Sequence, residues 1–385
     1  MTKKFLTLFF SFILAQVANG QIFTDTSKLI IDRILEPVTI HGYLSPIFLP
    51  NVPASVSYIG KAQLNLQPDN SFVSVLNTVP GVRAEERSPG SYRLSIRGSL
   101  LRSPFGIRDV KIYYDEIPLT DAGGNTYLNA LDFNSINHIE ILKGPDGSLF
   151  GANSGGVVLL GPVNLHDHDN HVSLGLNTGS YGLTHENAAI QNINGNYQLN
   201  LNQGYETYHG YRQHSDMQRH FIQMRNGWKY NDNDQVRVLG FYSDLNYQTP
   251  GGLTLAQYQA NPQSARLATK FTPSAIDQNI GVTSKVLLGG IVNELHINRQ
   301  LRNVLSVYGT YVDFSNPFIT NYEQRYEGTY GLRTYFELSG DIQSDYIWNL
   351  DLGLEWQQTN SDDNNYGNRK GIRDTAQTLD KINTN

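Results

Sequence analysis

Val172-Ser173-Leu174-Gly175-Leu176-Asn177 alternates branched apolar residues with small or polar ones. Successive side chains of a strand point to opposite faces, so Val172, Leu174 and Leu176 share one face. Similar alternation, with irregularities, recurs at 184–192, 196–207, 218–230, 235–247, 278–298, 302–314, 326–339 and 345–357, making roughly nine strands. Connections at 192–195, 231–234, 298–301 and 340–344 are short, whereas those near 208–217, 248–277 and 315–325 read as mostly longer. Short turns at one end and long loops at the other, joined by dyad alternation, form the pattern of an antiparallel transmembrane β-barrel. A soluble β-sandwich is the rival reading. Its loops need not alternate in length, and its strands are usually shorter than several of these. The pattern favours the barrel.

Upstream, residues 55–165 read as a separate small α+β domain of short strands and short helices. Val56–Ile59 is a strand. Asp69-Asn70 is the expected N-cap of a helix with Phe72, Leu76 and Val79 on one face, stopped by Pro80-Gly81. Tyr92–Gly98 and Val110–Tyr114 are further strands, the second ending in an Asp115-Glu116 turn. Leu131–Ile136 reads as a short helix, and Ile139–Leu142 and Val157–Leu160 as closing strands.

The N-terminus is an export signal over residues 1–20. Lys3 and Lys4 precede an apolar run from Phe5 to Val17, and Ala18 and Gly20 supply a small-x-small cleavage site. The run, about 13 residues, is too short for a spanning helix, which needs about 20. Residues 21–54 then form an extended, proline-containing linker. Residues 166–385 hold the barrel strands.

Composition agrees. Charged residues make up 17% of the 385, with 23 Tyr and 35 Gly, which suits many strands and turns and an aromatic girdle. Net charge is −6, so no basic field exists to hold nucleic acid. The absence of cysteine excludes disulfides, thiolate metal sites and cysteine nucleophiles.

Four motifs stand in order: Leu76-Asn77-Thr78-Val79-Pro80-Gly81-Val82, Leu94-Ser95-Ile96-Arg97-Gly98, Val110–Pro118, and Ile139-Glu140-Ile141-Leu142-Lys143-Gly144-Pro145 with Leu149-Phe150-Gly151-Ala152-Asn153-Ser154-Gly155-Gly156. Together they resemble the plug domain of TonB-dependent outer-membrane receptors. The resemblance implies a plug inside a barrel of 22 strands and import of a scarce nutrient, most often a ferric siderophore or other iron chelate. Cobalamin, copper, haem and glycan are the alternative ligands. It also implies an outer-membrane lipid setting in a Gram-negative-type bacterium and a TonB-type energy-transducing partner. No enzyme activity, cofactor or metal is implied.

Carried onto this sequence, Glu36-Pro37-Val38-Thr39-Ile40-His41 is similar to the Ton box, the strand that such a partner grips through its main chain. Its alternative is a first plug strand. Arg97 and Lys143 match two basic positions that lock the plug to glutamates of the barrel wall. Lys143 stands where an Arg is usual and lacks the bidentate fork. Gly81, Gly98, Gly144, Gly151, Gly155 and Gly156 are motif glycines for tight turns and close approach. Gly251, Gly252, Tyr258 and Arg266, in the longest connection, resemble a loop of the ferric-chelate branch and are ligand-loop candidates.

Other features carry less. His166-Asp167-His168-Asp169-Asn170-His171 offers metal-donor types but falls at the expected hinge between plug and first strand, where polar residues belong. Glu85-Glu86 and Asp115-Glu116 are adjacent acids that face opposite ways on a strand, which does not suit acid–base work. Asp362-Asp363-Asn364-Asn365 reads as a polar loop. The chain ends in a polar segment, Lys381–Asn385, without a terminal aromatic strand. The sequence therefore reads as a truncated product or fragment holding roughly nine of 22 strands. A surface barrel without transport and a non-transporting remnant stay open.

Overall fold

The computed structural model describes residues 38–52, 54–99, 106–144, 149–151, 155–162, 170–340 and 348–385, with backbone alone at 41, 43, 45 and 46. The signal segment, Glu36 and Pro37, and His166–Asp169 lie outside the described residues.

A hairpin of β1 (Thr39–Tyr43) and β2 (Ser45–Phe48) leads into the α+β domain. That domain contains β3 (Val56–Ile59), the hairpin β4 (Val82–Glu86) and β5 (Tyr92–Ile96), then β6 (Val110–Tyr114), β7 (Ile117–Pro118), β8 (Ile136–Lys143) and β9 (Gly156–Pro162). Five of these strands form one sheet in the order β3-β8-β9-β6-β7, parallel only between β6 and β9. Ile112, Ile139, Ile141 and Val157 are fully buried. Sheets covered on both faces need continuous apolar runs, which is what VKIYY and EIL supply.

The helix Phe72–Leu76 packs Phe72, Val75 and Leu76 inward, the i, i+3, i+4 spacing of one face. Its cap differs from the expectation. Ser71, not Asp69-Asn70, accepts the Val73 N–H at 3.2 Å, because Asp69 turns its carboxylate to Asn134 and His185. The expected helix at Leu131–Ile136 is replaced by two 3-10 turns, Leu128–Ala130 and Phe133–Ser135. Asp132 breaks the run by taking extended geometry and accepting from the Asn134 N–H.

Ten antiparallel strands follow in sequence order: β10 (His171–Thr178), β11 (Thr184–Asn194), β12 (Tyr197–Tyr208), β13 (Met217–Lys229), β14 (Gln235–Gln248), β15 (Gly281–His296), β16 (Leu301–Pro317), β17 (Asn321–Ser339), β18 (Asn349–Arg369) and β19 (Ile372–Thr384). Burial alternates along the middle strands: Met217, Arg219, Phe221 and Gln223 face inward and their neighbours outward. Inward Phe221, Leu239, Phe241, Val286 and Leu288 join one apolar cluster with the α+β domain.

Three expectations are corrected here. Among the described residues the sheet has ten strands where the pattern gave about nine. Asp362–Asn365 lie inside β18, paired with β17 and β19, and Lys381–Thr384 belong to β19. The connection expected at 315–325 is only 318–320. One cause explains all three. Backbone ladders continue regardless of side chain, whereas apolar alternation marks only the stretch with a greasy outer face. β17 and β18 run 19 and 21 residues, past the roughly 9–11 that cross a bilayer.

Candidate functional site: the seam between the α+β domain and the strand wall

Val38 precedes the first hairpin, and Thr39 and Ile40 lie within it, paired with Phe48 and Ile47. Ile40 is fully buried. The Leu44 carbonyl at the hairpin turn accepts Arg302 Nη2 at 3.2 Å.

Among the described residues, two ionic clusters hold the α+β domain against the inner face of the sheet. Toward the end with the longer connections, Asp132 Oδ2 lies 2.9 Å from His185 Nε2 and 3.2 Å from Arg219 Nη2. Arg219 also meets Glu206 at 2.6 Å, and the second nitrogen of His185 lies 3.1 Å from Asp69. Burial opposes ionisation of Asp69, yet hydrogen bonds from His185, Asn134 and Asn177 outweigh it and bring its pKa down to about 2. Gly204 is required here, since a Cβ would come within 2.5 Å of the Asp132 carboxylate.

Toward the short-turn end, the β6–β7 hairpin carries the second cluster. Lys111 pairs with Glu355 of β18, and Tyr113 Oη donates to the same carboxylate at 2.6 Å. Asp115 and Glu116, at the hairpin tip, meet Arg225, Arg237 and Arg333. A cavity of about 470 Å³ adjoins this cluster, lined among others by Thr39, Asp115, Arg237 and Arg333.

The sequence matches the TonB-dependent Receptor Plug Domain family over residues 49–158. Residues 49–158 are a TonB-dependent receptor plug domain. Over 119 residues the chain is 28% identical to the vitamin B12 transporter BtuB of Vibrio vulnificus (strain CMCP6), covering 30% of this chain and 18% of that protein. In fold it is similar to the ferric citrate transporter FecA in its unliganded form, with a TM-score of 0.70, 16% identity, and coverage of 86% of this chain and 51% of that one. It is likewise similar to the pyoverdine outer-membrane receptor FpvA of Pseudomonas aeruginosa PAO1 (TM-score 0.70, 14% identity, 90% and 55% covered) and the siderophore receptor PiuA of Acinetobacter baumannii (0.66, 14%, 89% and 50%). The chain thus spans about half the length of these receptors.

In the plug, Arg97 and Lys143 come together. Arg97 takes left-handed backbone (φ 51), and its guanidinium lies 2.8 Å from where a Cβ on Gly144 would stand, so Gly144 clears its path. Lys143 Nζ donates to the Pro80 carbonyl at 2.8 Å. Burial and then the nearby Arg97 charge lower its pKa. Among the described residues, neither meets a carboxylate of the strands. Such contacts are made by Lys111 and Tyr113 to Glu355 and by the Tyr127 hydroxyl to Glu327 at 3.2 Å, plug residues the sequence did not single out. Gly156 is also obligatory, since a Cβ would fall 2.2 Å from the Leu142 carbonyl, and Gly155 packs against the Asp109 carbonyl. Gly81, Gly98 and Gly151 sit in left-handed turns.

The ligand-loop candidates sit in the 249–280 connection. Arg266 folds back on its own loop: its N–H donates to Pro250 and its Nη2 to Thr272 Oγ1, and its stem packs on Gly251. Gly252 faces open space and Tyr258 is exposed. Gln278 ties this loop to the tips at 318–320 and 368–370 through Ile319, Asn368 and Lys370. Among the described residues no cluster of metal-donor side chains forms.

Proposed function

We propose that this chain works as part of an outer-membrane receptor that imports a nutrient, most specifically a ferric chelate, on energy delivered by a TonB-type partner to residues 36–41. The observation that carries it is a plug-family domain seated on the inner face of a sheet whose outer face suits lipid. Ile222, Leu287, Ile291, Val307 and Leu352 point outward and are exposed, and the exposed aromatics Tyr197, Trp228 and Trp348 lie at the short-turn ends of their strands. An outward apolar band bordered by aromatic residues is the surface of a transmembrane barrel. No helix of the described residues is long and apolar enough to cross a membrane, which leaves strands to do so. The similarity to FecA, FpvA and PiuA supports an iron chelate as ligand. The similarity to BtuB supports cobalamin as the second reading.

A partner that adds a strand needs an unbroken main-chain ladder, and proline removes a donor. Val38→Pro should therefore abolish energised uptake of ferric chelate by iron-starved cells while leaving chelate binding at the cell surface unchanged. Normal uptake in the variant would exclude residues 36–41 as the contact. Saturable binding of cobalamin instead of ferric chelate would replace the ligand reading.

A further inference from the structure

Asp115 and Glu116 read in the sequence as the turn ending the Val110–Tyr114 strand, and as adjacent acids facing opposite ways. The structure places them at the tip of the β6–β7 hairpin, where left-handed backbone at Asp115 (φ 56) aims both carboxylates at the wall. Arg237 grips Asp115 through two hydrogen bonds, Nε to Oδ2 and Nη2 to Oδ1, each 3.1 Å. Arg225 Nε stands 3.5 Å from the same carboxylate. Glu116 receives Arg333 and the Tyr335 hydroxyl, the latter at 3.2 Å, and its carbonyl accepts Ser306 Oγ at 3.2 Å. Four strands of the wall, β13, β14, β16 and β17, converge on these two residues. Burial opposes ionisation of Asp115, but Arg237 and Arg225 outweigh it and hold its carboxyl below the usual range. Arg333 also lies over the rings of Tyr113, Phe150 and Tyr335, so its guanidinium bridges plug and wall.

We propose that the Asp115-Glu116 turn is the key of a releasable ionic latch, with the acids on the plug and the arginines on the wall. Breaking a dry buried ion pair strands uncompensated charge, which makes such a pair a permanent pin. This one opens on one side into the cavity of about 470 Å³, which Asp115, Glu116, Arg225, Arg237 and Arg333 all line. Water entering that space solvates the arginines as the carboxylates withdraw. Thr39 and Leu44 line the same cavity, so the hairpin containing the proposed partner-contact residues Thr39 and Ile40 borders the latch. Release rests on the import reading; the latch itself rests only on the docking geometry.

Hydrogen exchange on the full chain, folded in detergent without ligand or partner, tests the latch apart from import. Asp115→Asn/Glu116→Gln should raise exchange of the 110–118 amides about tenfold, with the 56–59 amides unchanged. Arg237→Gln/Arg333→Gln should do the same from the wall side. The quadruple variant should add little to either, because both pairs remove the shared Asp115–Arg237 and Glu116–Arg333 contacts. Asp115→Glu/Glu116→Asp keeps both charges and should stay far closer to the parent than the neutral pair. Changes under about twofold in both neutral pairs, or a quadruple effect equal to their product, overturn the latch. So does equal loosening by the charge-preserving pair.

Discussion

The two ionic seams of the plug use similar groups in opposite settings. Around Asp132, His185, Arg219 and Glu206 are each no more than 3% exposed. Around Asp115, the arginines meet the acids at the edge of a cavity large enough for many waters. The first seam lies toward the longer connections, the second toward the short turns and the first hairpin. Coulomb attraction strengthens as water leaves, and so does the penalty for an unpaired charge. The dry seam is therefore the one that resists separation and the wet seam the one that can part. A plug held equally at both ends could move only as a whole; one held unequally can yield at one end first.

The largest effect that would break this comparison belongs to Asp132→Ala. It leaves His185 with only Asp69 and Arg219 with only Glu206, both facing a hole, and loss of one partner from such a cluster costs about 3–5 kcal/mol. Glu116→Gln keeps shape and hydrogen bonding at the wetter seam, so its cost should be at most about half as great. Denaturant unfolding of the full chain, followed by plug amide protection, measures both. Equal costs would mean that the cavity does not distinguish the seams.

The same contrast appears against pH. Asp69 has a folded-state pKa of about 2 against an ordinary value of 3.8. A depressed carboxyl stabilises the fold above its unfolded pKa and loses that contribution as pH falls through the folded one. The loss should therefore run from about pH 4 down to about pH 2. A shift of that size corresponds to a little over 2 kcal/mol, reduced to about 1 by solvent screening of a carboxyl that is partly exposed. Asp69→Asn should flatten the acid limb of plug stability by that amount. An unchanged limb would remove Asp69 from the seam.

Much of the fold was legible because periodicity and turn residues are local properties. Val172–Asn177, Gln235–Gln248 and the plug motifs declare strands through their own alternation. The polar halves of β18 and β19 were not legible, since Asn360–Asn365 pair through backbone while their side chains carry no apolar signal. The seams were hidden for another reason. Lys111 and Glu355 are 244 residues apart, and Tyr127 and Glu327 are 200 apart, separations on which local spacing is silent. One trace was present. Arg219, Arg237 and Arg333 occupy the inward phase of their strands, in step with Phe221, Leu239 and Tyr335. A charge in the buried phase has to find a counter-charge across the interior. Reading phase together with charge would have marked the wall side of both seams, though not the plug residues that answer it.

The smallest effect concerns a contact wholly inside the plug. Ser71 Oγ accepts the Val73 N–H at 3.2 Å and lies 3.3 Å from Glu86 Oε2, to which it donates. Replacing it by alanine leaves one helix N–H without its side-chain acceptor, a loss of about 1 kcal/mol for a capping serine. Glu86 retains the Gly90 N–H at 2.7 Å, so its carboxylate keeps a hydrogen bond and the cost stays near that of the cap. The helix Phe72–Leu76 is only five residues long, and its buried face, not its hydrogen bonds, holds it in place. Ser71→Ala should accordingly speed exchange at the 73–76 amides while leaving the 110–118 and 133–135 amides as they were. Loosening at either seam would show that the plug core and its docking are coupled, and the division between a self-sufficient core and two unequal seams would fail.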